Sequence, residues 1–227
     1  ADIAYDVARR GVAVVSGGAF GIDSAAHRAA LAAAGETILV SAGGLDRPYP
    51  SAHGALYGQV AERGLLISES PPGAAPFRRR FLSRNRLIAA FGGGVVIIEA
   101  GRRSGSLNTA AHARRYGRPL MAVPGPVTSA MSVGCHDLLR RDPADGSVAV
   151  RLVTSAADVM AEIEAAGAGP DGGGDAERAA GPGESRPAPR MAARRARGPG
   201  GTAGPRERPD LRLRGGGRRV SGLYRRR

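Results

Sequence analysis

The order of apolar runs along this chain predicts an α/β protein with a mostly parallel sheet and helices on both faces. Three observations carry that prediction. Short runs rich in Val, Ile and Leu, among them Val12–Ser16, Thr37–Ser41 and Val95–Glu99, are apolar at successive positions, as strands buried on both faces are. Each run is followed by a stretch with helical spacing, the alternation that crossovers between parallel strands require. Several runs end in small, turn-forming residues, where such sheets border a ligand crevice. A Rossmann-like, doubly wound sheet follows.

The elements come in order. Ala1–Arg10 has helical spacing, and VAVVS at Val12–Ser16 is the first strand. Asp23–Ala34 is an alanine-rich helix, alanine being the best helix former. Thr37–Ser41 is a strand, Ser51–Arg63 a helix and Leu65–Ser68 a strand. Leu82–Phe91 is a helix, Val95–Glu99 a strand, Ser106–Tyr116 a helix and Pro119–Val123 a strand. Val133–Arg141 is a short helix, Ala149–Val153 a weak strand and Ala156–Ala165 a closing helix.

Composition separates a body from a tail. All 33 basic residues are arginine, against 20 acids, and with Ala, Gly and Pro so abundant this reads as coding from GC-rich DNA. Residues 1–166 hold 18 arginines against 14 acids, whereas residues 167–227 hold 15 against 6, so most of the basic charge belongs to the tail. That tail has 15 Gly and 7 Pro in 61 residues, a content at which packed structure gives way to disorder. It is expected to be a disordered Arg/Gly/Pro-rich segment, or an out-of-frame continuation, and residues 1–166 one domain. The single Cys135 excludes an intrachain disulfide and a multi-cysteine zinc site and fits a reducing cytoplasm. No apolar run approaches the roughly 20 residues of a membrane span, and the start lacks a signal peptide's apolar core. A cytoplasmic protein without a membrane partner is expected.

The functional signal sits at strand ends and in one arginine segment. Val15 leads to Ser16-Gly17-Gly18-Ala19-Phe20-Gly21, and Ser104-Gly105-Ser106 opens a later helix; glycines there let backbone N–H groups approach an anion. The first loop is not G-x-G-x-x-G, and the next strand closes with Ser41 rather than an acid, so no dinucleotide cofactor is expected. FLSRNRLIAA at Phe81–Ala90 puts Arg84, Asn85 and Arg86 at the expected start of an apolar helix beside Phe81. Arginine forks match phosphate oxygens, a helix start adds free N–H groups and a positive dipole end, and an aromatic face stacks a base. This describes a site for single-stranded nucleic acid. A solvated arginine face with Phe81 in the core is the other reading of the same residues.

The catalytic inventory is thin. His27, four residues after Asp23, suggests a hydrogen bond within one helix. His53 has no partner in its sequence neighbourhood, and His112 lies among alanines. Cys135 and His136 are adjacent, so on a helix they diverge by about 100°. Glu69 and Glu99 at strand ends are candidate acids or bases, with Glu69 also suited to pair with nearby arginines. No complete active site emerges, nor any metal site, so binding is expected rather than catalysis.

Assembled in order, seven stretches resemble the DNA-processing protein A family (DprA, also called Smf). They are VVSGGAFGIDSAAHRAAL at Val14–Leu31, AGGLDRPYPSAH at Ala42–His53, SESPPG at Ser68–Gly73 and FLSRNRLIAA at Phe81–Ala90. VVIIEAGRRSGSLNTA at Val95–Ala110, AVPGPV at Ala122–Val127 and GCHDLLR at Gly134–Arg140 complete the set. The resemblance implies an extended Rossmann fold without a dinucleotide. It implies binding of single-stranded DNA, a homodimer, and delivery of that DNA to a RecA-type recombinase in natural transformation. Carried over by position, the DNA pocket would use Ser16, Gly17, Gly18, Phe20, Gly21, Arg78, Phe81, Arg84, Asn85 and Arg86, with Ser104, Gly105 and Ser106 supporting the neighbouring rim. Phe20 stands where the family commonly has Arg, and Arg78 where it often has Lys. The resemblance also places the family's first strand before Ala1 and sets the arginine tail where many members have a small winged-helix-like domain, so a member truncated at both ends is expected. Two other readings stay open: a phosphoribohydrolase-like nucleotide-processing enzyme, whose P-G-G-x-G-T-x-x-E loop is here EAGRRSGSLNTA, and a nucleotide-binding module of the same superfamily.

Overall fold

The computed structural model describes residues 1–140 and 149–167; the expected disordered tail, but for its first residue, lies outside them. The chain runs α1 (Asp2–Arg9), β1 (Val14–Ser16), α2 (Ile22–Ala32), β2 (Thr37–Val40), a 3-10 turn (Ser51–His53), α3 (Gly54–Arg63) and β3 (Leu65–Ile67). It continues with α4 (Arg78–Phe91), β4 (Val95–Ile97), α5 (Ser106–Arg115), β5 (Leu120–Ala122), α6 (Val133–Arg140), β6 (Val150–Leu152) and α7 (Ala156–Gly167). The α/β class with parallel strands among helices is the one the sequence predicts.

The strands form two three-stranded parallel sheets, β1–β2–β3 and β4–β5–β6. Val14, Val15 and Ser16 pair with Thr37, Ile38 and Leu39, and Val95, Val96 and Ile97 with Leu120, Met121 and Ala122. Apolar periodicity reports which faces of a strand are covered. It carries nothing about which neighbour the strand's edges bond, so the division into two ladders is a feature of the structure alone. The central strands are the most buried: Leu39, Val40, Leu120, Met121 and Ala122 are sealed from solvent, whereas Leu65 and Leu152 on edge strands are exposed. Helices join the halves. Val7 of α1 packs with Met121, Val153 and Val159, with Val12 and Val96 against the same cluster, and α4 packs on α5 while touching β1 and β2.

One boundary changes the site. The arginine helix starts at Arg78, after an extended Phe77 (φ −146°, ψ 165°), not near Leu82. Arginine is a good helix former, so Arg78–Phe81 extend the apolar stretch by a turn after Pro76. Arg84, Asn85 and Arg86 therefore lie two turns inside α4, and the helix-start argument passes to Arg78, Arg79 and Arg80.

Candidate nucleic-acid interface

The first loop, Ser16–Gly21, is held from behind by three side chains, two of them buried. Asp23, in the first turn of α2, accepts hydrogen bonds from the Ser16 hydroxyl (3.0 Å) and the Ala19 N–H (3.2 Å). His27, fully buried, donates from Nε2 to the Gly17 carbonyl (2.7 Å), and its Nδ1 lies 2.7 Å from the Thr37 hydroxyl. Burial holds its pKa below the ordinary histidine value. His53 contacts the next carbonyl, Gly18, through Nδ1 (3.0 Å). Asp23 and His27 therefore do not bond each other as the sequence suggested, and His53 is not partnerless; His27 fastens the loop just before its own helix, and His53 reaches it from much further along the chain. The glycines leave room for side chains that converge on the loop. A Cβ on Gly17 would lie 2.6 Å from Asp23 Oδ2 and 2.7 Å from the Arg84 guanidinium, and one on Gly18 would lie 2.8 Å from the Tyr57 hydroxyl.

Arg84 and Asn85, each 8% exposed, belong to this support. Arg84 donates Nη1 to the Val40 carbonyl at the end of β2 and Nε to Asn85 Oδ1 (3.2 Å). Asn85 Nδ2 donates to the Gly105 carbonyl (3.2 Å). The pair thus ties the end of β2 to the loop before α5. Burial lowers the Arg84 pKa, and the nearby Asp23 carboxylate works against that shift. Expected on sequence grounds as contact residues, these two are largely buried, with Arg84 lining the crevice beside α4. An arginine beside an asparagine in an apolar helix carries no sign of that in its spacing.

The exposed surface lies around them. Arg78 and Arg79 are exposed at the first turn of α4, which has no acid and no side-chain cap. Arg80 donates to the Ala75 carbonyl (2.6 Å) and covers the Phe77 ring at 4.6 Å. Phe81 is half-buried and faces Tyr49 at 5.4 Å between centroids. Phe20 is 65% exposed, its ring at 66° to His53 and 4.6 Å away. Arg86 is exposed and ion-paired with Glu69, which accounts for that carboxylate. The sequence reading missed Tyr49. The only signal was its place in the stretch AGGLDRPYPSAH, between two prolines after a strand.

The second sheet continues the edge. The Ser104 and Ser106 hydroxyls are 2.6 Å apart, and Ser106 Oγ donates to the Glu99 carbonyl (3.2 Å). Gly105, Arg102 and Arg103 are exposed. His112 stacks on Tyr116, and His136 Nε2 contacts the Gly125 carbonyl (2.9 Å). Cys135 is buried; its Sγ–H points to the Ile97 carbonyl (3.6 Å), and burial pushes the thiol pKa up. The crevice between α4 and the ends of β2 and β3, lined by Ser41, Ser70 and Arg84 among others, holds about 30 Å³, against the roughly 300–1,000 Å³ of small-molecule pockets.

Rossmann-like strands, a braced glycine loop, and exposed arginines and rings define a class: a Rossmann-like α/β protein with, among the described residues, no enclosed pocket at that loop. The comparisons narrow it. The family model of DNA recombination-mediator protein A matches residues 1–164, and the chain belongs to that family, as its seven motifs implied. A DprA-named protein of Mycobacterium tuberculosis is 56% identical over 160 residues, 70% of this chain and 39% of that protein. The crystal structure of DNA processing protein A from Streptococcus pneumoniae superposes with a TM-score of 0.61 at 40% identity, covering 70% of this chain and 55% of that one. A structure of the Helicobacter pylori protein, described for its single-stranded DNA binding mode, gives a TM-score of 0.61 at 31% identity over 72% of this chain and 71% of that one. The chain thus spans about two fifths of the length of the mycobacterial relative. Among the described residues no helix is long and apolar enough to cross a membrane.

Proposed function

We propose that the rim binds single-stranded DNA without regard to sequence, phosphates on its arginines and unstacked bases on its rings. The observation that carries this is the start of α4. Three arginines occupy the positive end of an uncapped helix, where each cation costs about 0.3–1 kcal/mol of stability. Exposed aromatic carbon stands beside them at Phe77, and Phe20 offers a second exposed ring on the glycine loop. An anion binding there relieves the repulsion, and the rings accept bases that a duplex keeps stacked. Arg78, Arg79 and Arg86 make the phosphate contacts, Phe81 and Phe20 the stacking contacts. Gly17, Gly18, Gly21 and the Ser104–Ser106 loop offer backbone and hydroxyl groups, while Arg84, Asn85 and Ser16 hold the rim in place. A crevice of about 30 Å³ suits a strand lying across the surface better than a nucleotide enclosed for chemistry, which favours a binder over a phosphoribohydrolase at this site.

Membership in a recombination-mediator family supports the wider role: handing bound strands to a RecA-type recombinase in the cytoplasm during transformation, as a homodimer. The test is fluorescence anisotropy with the full chain, comparing single-stranded and duplex DNA of equal phosphate count at about 150 mM salt. The basic tail meets equal charge on both, so a preference for the single strand reports the rim. Equal affinity would overturn the reading. Recombinase filament formation on strands carrying the protein, and sedimentation of the protein alone, test the partner and the dimer.

A further inference from the structure

We propose that the outer seam between α4 and α5 is a phosphate track, where Arg86, Arg115 and Arg118 hold the backbone of a bound strand beyond the rim without reading its bases. The proposal rests on the single-strand reading and says where the rest of the strand goes. Charge divides between two groups of helices. α4 packs on α5, whereas α1 packs on α2 and α7, and α2 on α3. Together α4 and α5 carry seven arginines and no acid, while α1, α2, α3 and α7 carry three arginines and seven acids. A polyanion leaving the rim is therefore drawn over the first group and repelled by the second.

α4 itself joins the rim to the seam. Arg79 and Arg86 are seven residues apart, so they share one face of the helix and stand about 10 Å apart along its axis. Arg86 keeps close to half its side-chain surface open in its pair with Glu69. Across the seam, His112 of α5 is half-buried; burial first, then the Arg115 and Arg86 cations, push its pKa down. Two guanidinium groups from different helices thus act on one point, and among the described residues no carboxylate contributes to the charge felt there. Arg115 is exposed. Arg118 follows at the far end, exposed, with Nη2 donating to the Ala90 carbonyl of α4 (3.2 Å). The neighbouring Tyr116 ring stacks on His112 (6.0 Å, 22°), so the seam presents guanidinium forks, which match phosphate oxygens. A strand running from Arg79 meets Arg86, Arg115 and Arg118 in turn, a continuity with the rim that an acidic protein partner has no need of.

The experiment titrates the full chain by anisotropy, across a salt series, with thymidine oligonucleotides of about 4 and about 16 nucleotides. Arg115→Gln and Arg118→Gln each lower the salt slope of the long oligomer by about 0.7 and leave binding of the short one unchanged. Arg115→Lys keeps the charge and the wild-type slope. Arg28→Gln, at an exposed site on α2, changes neither oligomer, and the tail contributes equally in every variant. A second readout needs only the wild-type protein. The long oligomer raises the His112 pKa followed by NMR, because a phosphate offsets the two cations beside it, whereas the short oligomer leaves it in place. Wild-type slopes on the long oligomer in both glutamine variants would give the face to an acidic protein surface and overturn the track, with the single-strand reading intact. Equal losses on both lengths would overturn it too, since the side chains would then act through the rim, and so would a His112 pKa unmoved by the long oligomer. Failure of the wild-type protein to prefer single strands over duplex would overturn the single-strand reading itself.

Discussion

Replacing Arg84 by alanine distinguishes a buried brace from a phosphate contact. The guanidinium is 8% exposed, donates to the Val40 carbonyl and Asn85 Oδ1, and is the cation next to Asp23. Two hydrogen bonds from a charged donor are worth about 1.5–3 kcal/mol each. Relief of the buried charge's own desolvation offsets part of that, and loss of the cation leaves Asp23 less compensated. A net destabilisation of about 2–4 kcal/mol follows. Arg86, whose pair with Glu69 leaves both side chains close to half-exposed, should cost within about 1 kcal/mol when removed. Urea denaturation of the full chain gives both numbers from the midpoints. DNA titrations supply a second readout. Arg84→Ala should weaken binding through a loosened glycine loop with little change in salt slope, whereas a phosphate contact on a single strand contributes about 0.7 to it. An Arg84→Ala protein with a wild-type midpoint and a slope reduced by about 0.7 would refute the burial argument.

Much of this architecture was legible in the sequence because parallel, doubly covered strands leave unmistakable apolar runs. Thr37–Val40 and Val95–Ile97 fall inside the segments read as strands, and α2, α3 and α5 start within a few residues of their expected positions. What failed was the start of α4. Three arginines carry no apolar periodicity, so a pattern-based boundary slides to Leu82, and the dipole argument was attached to the wrong residues. The support beneath the rim was hidden for a different reason. Arg84 and His53 reach the glycine loop from elements far along the chain, and burial of an arginine is decided by tertiary packing. Tyr49 was invisible for a third reason: it lies in a loop, where neither period applies, and its value comes from facing Phe81 across 5.4 Å.

Three further outcomes follow. Arg78→Ala should lower the salt slope for single-stranded DNA by about 0.7 with an unchanged urea midpoint; a shifted midpoint would mean the side chain supports the fold. Stability should fall as pH drops below the ordinary histidine value of 6.5, because burial lowers the folded pKa of His27 and the unfolded chain then takes up a proton that the folded one refuses. The fall should level off once pH is below the folded pKa, and His27→Gln should flatten it in denaturation series between about pH 7 and 5; a slope as steep in the variant would assign it to other groups. Phe20→Arg is the sharpest of the three. The side chain is 65% exposed, so the change leaves the core untouched and converts a stacking position into a charged one. The arginine adds about 0.7 to the salt slope, equivalent to about a fivefold change in relative affinity for every tenfold change in salt, and removes a phenyl face worth about 1–3 kcal/mol to a base. Titrations of the two proteins with a thymidine oligonucleotide should therefore diverge as salt rises, with the arginine variant losing affinity faster. On an abasic deoxyribose-phosphate oligomer of the same length, where no stacking is at stake, the arginine variant should be the tighter binder at low salt. Parallel salt curves would mean that position 20 does not face the strand.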